Sequence, residues 1–258
     1  LDLGGRAVDH GDAGGAVVGD DVALPRRDAA DPPCGTVEEH DAAVESVTQD
    51  GGAVGGSYNW EHGYAGLSYS RYDSNYGSVA ESGVRLDMKQ DHYAFASELR
   101  DLEGPFSSVK VDAGYTDYEH SEIEEGEVHT TFKNKGYEAR VEARHQPIGP
   151  FDGVVGAQVT RNEFSALGEE AFVPGTTTDT IGAFVLQEKQ FGPFKLELGA
   201  RHDQVKLDPN DAQRSRSFGA TNLSASGIWA LNDTFDLRFG VDASERAPTN
   251  EELYAAGA

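Results

Sequence analysis

The chain has 258 residues, and 45 acidic against 21 basic residues give it a formal net charge of -24 at pH 7. This charge would repel phosphates, so it argues against a nucleic-acid partner and favours cations. No run of 18 apolar residues occurs, which excludes a membrane-spanning helix but not membrane-spanning strands of about 9 to 11 residues. The 31 glycines, 10 tyrosines and 12 phenylalanines favour an all-β fold.

Residues 1–50 differ in composition from the rest of the chain. Asp, Gly and Ala dominate this segment, aromatic residues are absent, and the stretch LPRRDAADPPCG contains three prolines. We therefore predict an irregular segment over 1–50 and a separate folded region over 51–258. The chain begins at Leu1 without a recognisable export signal and stops within a further loop, so we expect it to be part of a longer protein.

From residue 51 onward the sequence predicts five β-hairpins. In KGYEARVEARH, Tyr137, Ala139 and Val141 fall on one face of a strand. Glu138, Arg140 and their successors fall on the other face, and this alternation fits a strand rather than a helix. The predicted strand pairs are 52–60 with 63–72, 91–100 with 107–118, 136–146 with 153–164, 180–190 with 194–206, and 217–230 with 234–245.

A Gly-Pro-Phe turn recurs at residues 104, 149 and 192, at intervals of 45 and 43 residues. Such short turns alternate with longer acidic connections, as they do in outer-membrane barrels. Aromatic residues beside the short turns predict a girdle at one membrane interface, namely Trp60, Tyr64, Phe106, Phe151, Phe194, Trp229 and Phe235. The predicted fold is therefore an antiparallel up-and-down transmembrane β-barrel segment of about ten strands. We expect two open edges that belong to a larger barrel.

The C-terminal stretch SERAPTNEELYAAGA (244–258) resembles a loop in the later part of TonB-dependent outer-membrane receptors. WEHGYAGLSYSRYDSNYG, HTTFKNKGYEARVEARHQPIGPF and NEFSALGEEAFVP are also similar to strands and loops of that family, so the resemblance covers 51–258. It is nearest the branch that takes up zinc, iron or haem. No TonB box and no plug are recognised, and 1–50 does not match the family pattern.

This resemblance implies a 22-stranded barrel that is plugged by a separate N-terminal domain. It implies active uptake of a metal ion or metal chelate, such as zinc, an iron-siderophore or haem, in the outer membrane of a Gram-negative bacterium. The implied partners are membrane lipid, lipopolysaccharide, the metal substrate and the TonB complex, which acts through the plug. Two alternatives stay open: a passive porin-like or structural barrel, and a soluble acidic β-protein that binds cations.

The segment DYEHSEIEEGEVH (117–129) concentrates oxygen and imidazole donors. We predict that it forms a long external loop and that its donors form a candidate site for a divalent metal, zinc, copper or iron. The candidate ligands are Asp117, Glu119, His120, Glu122 and His129. The alternative is a solvated acidic loop near lipopolysaccharide that holds calcium loosely.

The remaining sequence signals predict no catalysis and no resident cofactor. Neither a phosphate-binding glycine loop nor a nucleophile elbow is present, so no enzyme is expected. In the segment 162–179, Glu169, Glu170 and Phe172 are expected to belong to an ordinary loop. His92, His145 and His202 are expected to be hydrogen-bonded residues at strand ends.

Overall fold

The computed structural model describes residues 47–78, 83–168, 171–211 and 213–255. These residues form one ten-stranded antiparallel sheet in which each strand pairs with the next one along the chain. The strands are β1 (Thr48–Trp60), β2 (Gly63–Gly77), β3 (Val84–Leu99), β4 (Phe106–Glu124), β5 (Glu127–Ile148), β6 (Phe151–Gly168), β7 (Thr176–Phe191), β8 (Phe194–Pro209), β9 (Arg216–Ala230) and β10 (Asp236–Ala243), and a short helix α1 (Asn250–Tyr254) follows them.

The architecture confirms the predicted all-β, up-and-down antiparallel fold. Within the described residues, β1 and β10 each have a single strand neighbour, so the sheet has two edges. No helix in this part of the chain is long and apolar enough to cross a membrane. Most of the predicted segment 1–50 lies outside the described residues, and β1 begins near its end, at Thr48.

The register of the sheet gives it one apolar face, which we call the outer face. Residues that pair across antiparallel strands share a face, and one row of such pairs crosses β3 to β10 without a polar residue. This row consists of Leu99, Val109, Ala143, Val155, Val185, Ala200, Leu223 and Ala243. Val185 keeps 36% of its surface exposed and Leu223 keeps 54%. No second layer of the described chain therefore covers this face.

The opposite face, the inner face, is polar and charged. The next row along the strands contains Glu98, Lys110, Glu142, Gly156, Phe184, Arg201 and Asn222. Charged side chains at this density are tolerated only where water or opposite charges stabilise them. The strict difference between the two faces is typical of membrane barrels, in which lipid-facing and interior residues alternate along each strand.

Aromatic side chains cluster beside the short turns, at the end of the sheet that we call the short-turn end. The Phe194 ring stacks on Phe239 at a centroid distance of 6.0 Å and lies 6.3 Å from Phe191. Tyr58 and Trp60 stack at 5.8 Å. Rings at strand ends suit the headgroup level of a bilayer, so these contacts agree with the girdle predicted for this end. Tyr64 is an exception, because it pairs with Glu98 on the inner face.

A second row of rings, which the sequence analysis missed, crosses the outer face farther along the strands. Tyr69, Tyr93, Tyr115 and Tyr137 occupy paired positions on β2 to β5, with successive centroid distances of 4.8, 6.1 and 4.8 Å. On β4, the stretch from Phe106 to Tyr115 contains ten residues. That length matches the roughly 9 to 11 residues with which a tilted strand crosses a bilayer. The position of the tyrosine row therefore fits a second membrane interface.

The strands β4 and β5 extend well beyond the tyrosine row, and the long loop predicted over 117–129 is wrong. A two-residue turn at Glu125 and Gly126 joins the two strands. Both turn residues have positive φ, 51° and 87°, which is the backbone conformation of a type I′ hairpin turn. The segment is therefore a continuous hairpin.

The few buried residues lie mainly at the long-loop end, opposite the short turns. The buried apolar residues there are Val84, Val173, Leu207, Ala220 and Tyr254. Helix α1 contributes to this packing because the Tyr254 hydroxyl donates a hydrogen bond to the Arg214 carbonyl at 3.0 Å. The sheet thus has no central core, and its compact packing is local to this end.

A complete capping box fixes the start of helix α1. The Glu252 amide donates to the Thr249 hydroxyl at 3.2 Å, while the Glu252 carboxylate accepts from the Thr249 amide at 2.9 Å. The same carboxylate pairs with Arg246 at 2.6 and 2.7 Å. The Arg246 guanidinium and the Thr249 amide lower the pKa of Glu252 to about 2.

This pKa predicts a pH dependence for helix α1. A carboxylate with a folded-state pKa below its ordinary value stabilises the fold above that ordinary value, and the contribution is lost as the pH falls towards the folded-state pKa. We expect amide protection in residues 244–255 to weaken between about pH 4.5 and pH 2. Hydrogen exchange, corrected for the intrinsic pH effect, measures this protection. Glu252→Gln should remove the dependence, whereas Glu251→Gln, its neighbour in the helix, should retain it.

Candidate functional site

The structure does not bring the five predicted metal ligands together. Asp117 and Glu119 lie on the outer face beyond the tyrosine row. Each pairs with a lysine of β5, because the Asp117 carboxylate lies 3.9 Å from the Lys135 ammonium and that of Glu119 lies 2.7 Å from Lys133. Both carboxylates are thus held in cross-strand ion pairs on the side away from the inner face.

The other three predicted ligands are also divided. His120 and Glu122 project from the inner face of β4, where they pair with Phe132 and Thr130. His129 lies beside the hairpin turn, with its Nδ1 3.8 Å from the Glu124 carboxylate. No group of three or more His, Cys, Asp or Glu residues in the described chain could hold a metal ion. The five-ligand arrangement fails because alternate residues of a strand point to opposite faces.

The most strongly connected polar cluster of the inner face was not predicted. Two guanidinium groups, of Arg140 on β5 and Arg201 on β8, both donate to the side-chain oxygen of Gln158, at 3.2 and 3.1 Å. They also lie over one aromatic ring, that of Phe184, at 4.2 and 5.8 Å from its centroid. This cluster links four strands across the middle of the inner face.

Each arginine of this cluster has its own carboxylate two residues along the same strand. Arg140 pairs with Glu142 at 2.6 Å, and Arg201 forms a bidentate pair with Asp203 at 2.6 and 2.8 Å. Lys195 similarly bridges Glu188 and Glu197 at 2.7 and 2.9 Å. The inner face is therefore a wall of paired charges, which suits a water-filled interior through which charged solutes pass.

Glycines on the inner face make room for this cluster. A Cβ atom on Gly182 would overlap Asp203 Oδ1 and lie 2.7 Å from Arg201 Nη2. A Cβ on Gly156 would overlap the Phe184 ring and lie 2.6 Å from the Val141 carbonyl oxygen. The missing side chains thus allow the arginine, aspartate and phenylalanine groups to lie flat against the sheet.

A cavity of about 420 Å³ lies at the long-loop end of the inner face. Its wall includes His120 and Glu122, so the structure moves two of the predicted metal ligands into a concave site. Phe172 also lines it and is 55% exposed, whereas Glu169 and Glu170 lie outside the described residues. The sequence signal for the cavity was present in the aromatic residues of β4 to β6, but it was not recognised because their strands were predicted to end too early.

The histidines predicted to be hydrogen-bonded at strand ends do make hydrogen bonds, but His92 and His202 lie in the middle of β3 and β8. His92 Nδ1 lies 2.8 Å from the Thr116 hydroxyl, and His202 Nδ1 lies 2.9 Å from that of Thr221. His145 is buried at the short-turn end, where its Nε2 lies 3.1 Å from the Gln187 side-chain oxygen. These contacts account for the three rings without a ligand.

A known family accounts for the two-faced sheet and its charged inner wall. The family model described as TonB dependent receptor-like, beta-barrel matches residues 5–258. The chain belongs to this family. Proteins of the TonB-dependent receptor family are receptors and transporters of the Gram-negative outer membrane and generally not enzymes. The match starts within the N-terminal segment, and the predicted boundary at residue 50 stays a prediction.

Solved structures of three transporters share this fold at low sequence identity. The copper transporter OprC superposes with a TM-score of 0.70 and 14% identity, over 80% of this chain and 38% of OprC. The iron transporter FrpB from Neisseria meningitidis (F5-1 variant, apoprotein form) gives a TM-score of 0.67 and 13% identity, over 78% of this chain and 36% of FrpB. The unliganded ferric citrate transporter FecA gives a TM-score of 0.57 and 13% identity, over 78% of this chain and 36% of FecA. The chain thus spans less than two fifths of each structure.

Proposed function

We propose that this chain is the barrel portion of an outer-membrane receptor that actively imports a metal ion or metal chelate with energy from TonB. The observation that carries the proposal is the sheet itself, with an unbroken apolar row on one face and paired charges on the other. The family match supports the receptor class. The transporters with similar folds handle copper, iron and ferric citrate, which supports a metal cargo.

The proposed location is the outer membrane of a Gram-negative bacterium, with the short-turn end towards the periplasm. On the outer face beyond the tyrosine row, acidic and basic side chains alternate across the strands, as in the Glu119–Lys133 pair. This arrangement suits the headgroup and sugar region of lipopolysaccharide, where charged groups and bound cations are abundant. The TonB complex would act through the plug of the full-length receptor.

Metal accumulation in cells tests the transport proposal. Deletion of the complete gene under metal limitation should reduce accumulation of radioactive copper, iron or zinc, or growth on haem or an iron-siderophore. The plasmid-borne gene should restore uptake only in cells with functional TonB. Uptake that is restored without TonB would instead indicate a passive barrel. Unchanged accumulation after deletion for every one of these metals would reject a metal receptor.

A further inference from the structure

The cavity at the long-loop end of the inner face has aromatic walls. Tyr118, His120, Phe132 and Phe164 line it in a connected series, with ring centroids 5.6, 4.7 and 6.4 Å apart. Phe172 contributes a further ring. Flat aromatic walls favour flat organic groups, which they contact by stacking. The cavity therefore suits a ligand with an aromatic or conjugated portion.

One ring in this series is a histidine with an unpartnered nitrogen atom. The His120 ring stacks on Phe132 with an interplanar angle of 17°, and its Nδ1 is buried without a hydrogen-bond partner in the described chain. The residue lies five positions beyond Tyr115, outside the lipid-facing stretch. A neutral imidazole is a good ligand for copper, zinc, iron and nickel.

The donor set at the cavity is incomplete for a bare metal ion. The carboxylates that line the cavity are those of Glu122 and Glu251, and they do not form a three-ligand group with His120. A metal that binds here must therefore bring other ligands with it. A chelate that leaves a coordination position open for imidazole satisfies this requirement.

The charge of the cavity limits which chelates fit. Two of its described lining residues, Glu122 and Glu251, are acidic, and no lysine or arginine is among them. Anionic chelates would enter a site without a cation to balance their charge. The negative potential of the two carboxylates favours neutral or positively charged chelates. The net charge of -24 acts in the same direction.

We propose that this cavity binds a neutral or cationic metal chelate with a conjugated ring system, and that His120 coordinates the open position of its metal. This inference rests on the proposed uptake function and specifies its substrate class. Phe132 and Tyr118 hold the imidazole in place, while Phe164 and Phe172 contact the organic part of the chelate. The site selects against anionic chelates such as ferric citrate.

The test uses the product of the complete gene, purified in detergent, and the 1:1 complex of Cu(II) with 1,10-phenanthroline as the probe. This complex is cationic, aromatic and open to a further nitrogen ligand. Equilibrium dialysis gives its Kd, and electron spin-echo modulation detects the remote nitrogen of a coordinated imidazole. Metal-free phenanthroline and ferric citrate serve as comparison ligands. His120→Phe keeps the ring stack without its nitrogens, and His62→Phe changes an exposed histidine at the opposite end.

We expect His120→Phe to raise the Kd of the copper complex about 10- to 100-fold and to abolish the imidazole modulation, whereas His62→Phe should change neither. Heat-modifiable migration in gels confirms that each variant is folded, and His120→Gln provides a second variant. Equal binding and modulation in wild type and both His120 variants would overturn the assignment, as would ferric citrate binding as tight as that of the copper complex. If either result were found while cells still accumulated metal in a TonB-dependent way, the proposed uptake function would stand and only the chelate site would be rejected. Failure of the site is therefore distinguishable from failure of the uptake proposal.

Discussion

Val185→Arg is expected to destabilise the folded protein in lipid by about 2–4 kcal/mol, the cost of a lipid-facing arginine near mid-depth in a barrel wall. Val185 lies on β7 in the apolar row of the outer face, six residues from the girdle position Phe191. An arginine there must lose its hydration or pull water into the hydrocarbon. The free energy of unfolding in lipid vesicles, followed by tryptophan fluorescence in a urea titration, measures the effect.

The adjacent residue provides a matched control. Leu186 is 45% exposed and lies on the inner face, two positions from Glu188. The inner face already pairs arginines with carboxylates at this spacing, as in Arg140 with Glu142 and Arg201 with Asp203. Leu186→Arg should therefore be tolerated. A similar loss of stability in both variants would contradict the assignment of the two faces, because only the lipid-facing position should penalise an arginine.

Gly182→Ala is expected to destabilise the protein by about 1–3 kcal/mol, the usual cost of overpacking a filled site. The new methyl group would overlap the Asp203 carboxylate and approach Arg201 Nη2. The bidentate pair would have to separate, although both groups are largely shielded from water, with side-chain exposures of 29% and 14%. The urea titration used for Val185→Arg quantifies this loss.

A second glycine of the inner face separates this clash from the general effect of adding a methyl group to a strand. On Gly114 the nearest atom to an added Cβ is His92 Cε1, at an ordinary contact distance of 3.6 Å. Gly114→Ala should be neutral or stabilising by about 0.4–1 kcal/mol, since alanine restricts the unfolded chain. If Gly182→Ala were equally harmless, the Arg201–Asp203 pair would not be held against the sheet as the structure describes.

The membrane-crossing part of the fold could be predicted from the sequence because one solvent, lipid, imposes a simple pattern there. Val109, Val111 and Ala113 alternate with polar residues on β4, and the same period repeats on β5 to β10. The Gly-Pro-Phe turns indicated where the chain reverses between paired strands. Strand order and pairing then followed from the short connections, and the structure confirms them.

The region beyond the tyrosine row could not be predicted in the same way. The outer face of the β4–β5 hairpin carries charged side chains there, as at Asp117 and Glu119, so hydrophobicity no longer alternates and the strand looks like an acidic loop. His120 and Asp117 seemed equivalent as donors because only the register decides which face each one meets. The Arg140–Gln158–Arg201 cluster was hidden for another reason, since it joins residues from two hairpins that are as many as 61 positions apart.

The β4–β5 hairpin continues for nine residues after Tyr115 on β4 alone, which is about 30 Å of extended chain. With the sheet placed in the outer membrane as proposed, this ribbon stands above the bilayer and reaches into the carbohydrate coat. Antibodies, bacteriophages and proteases that approach the cell from outside would meet its tip at Glu125 and Gly126 before any other part of these two strands. The tip is therefore a natural epitope and a convenient place to insert a surface tag.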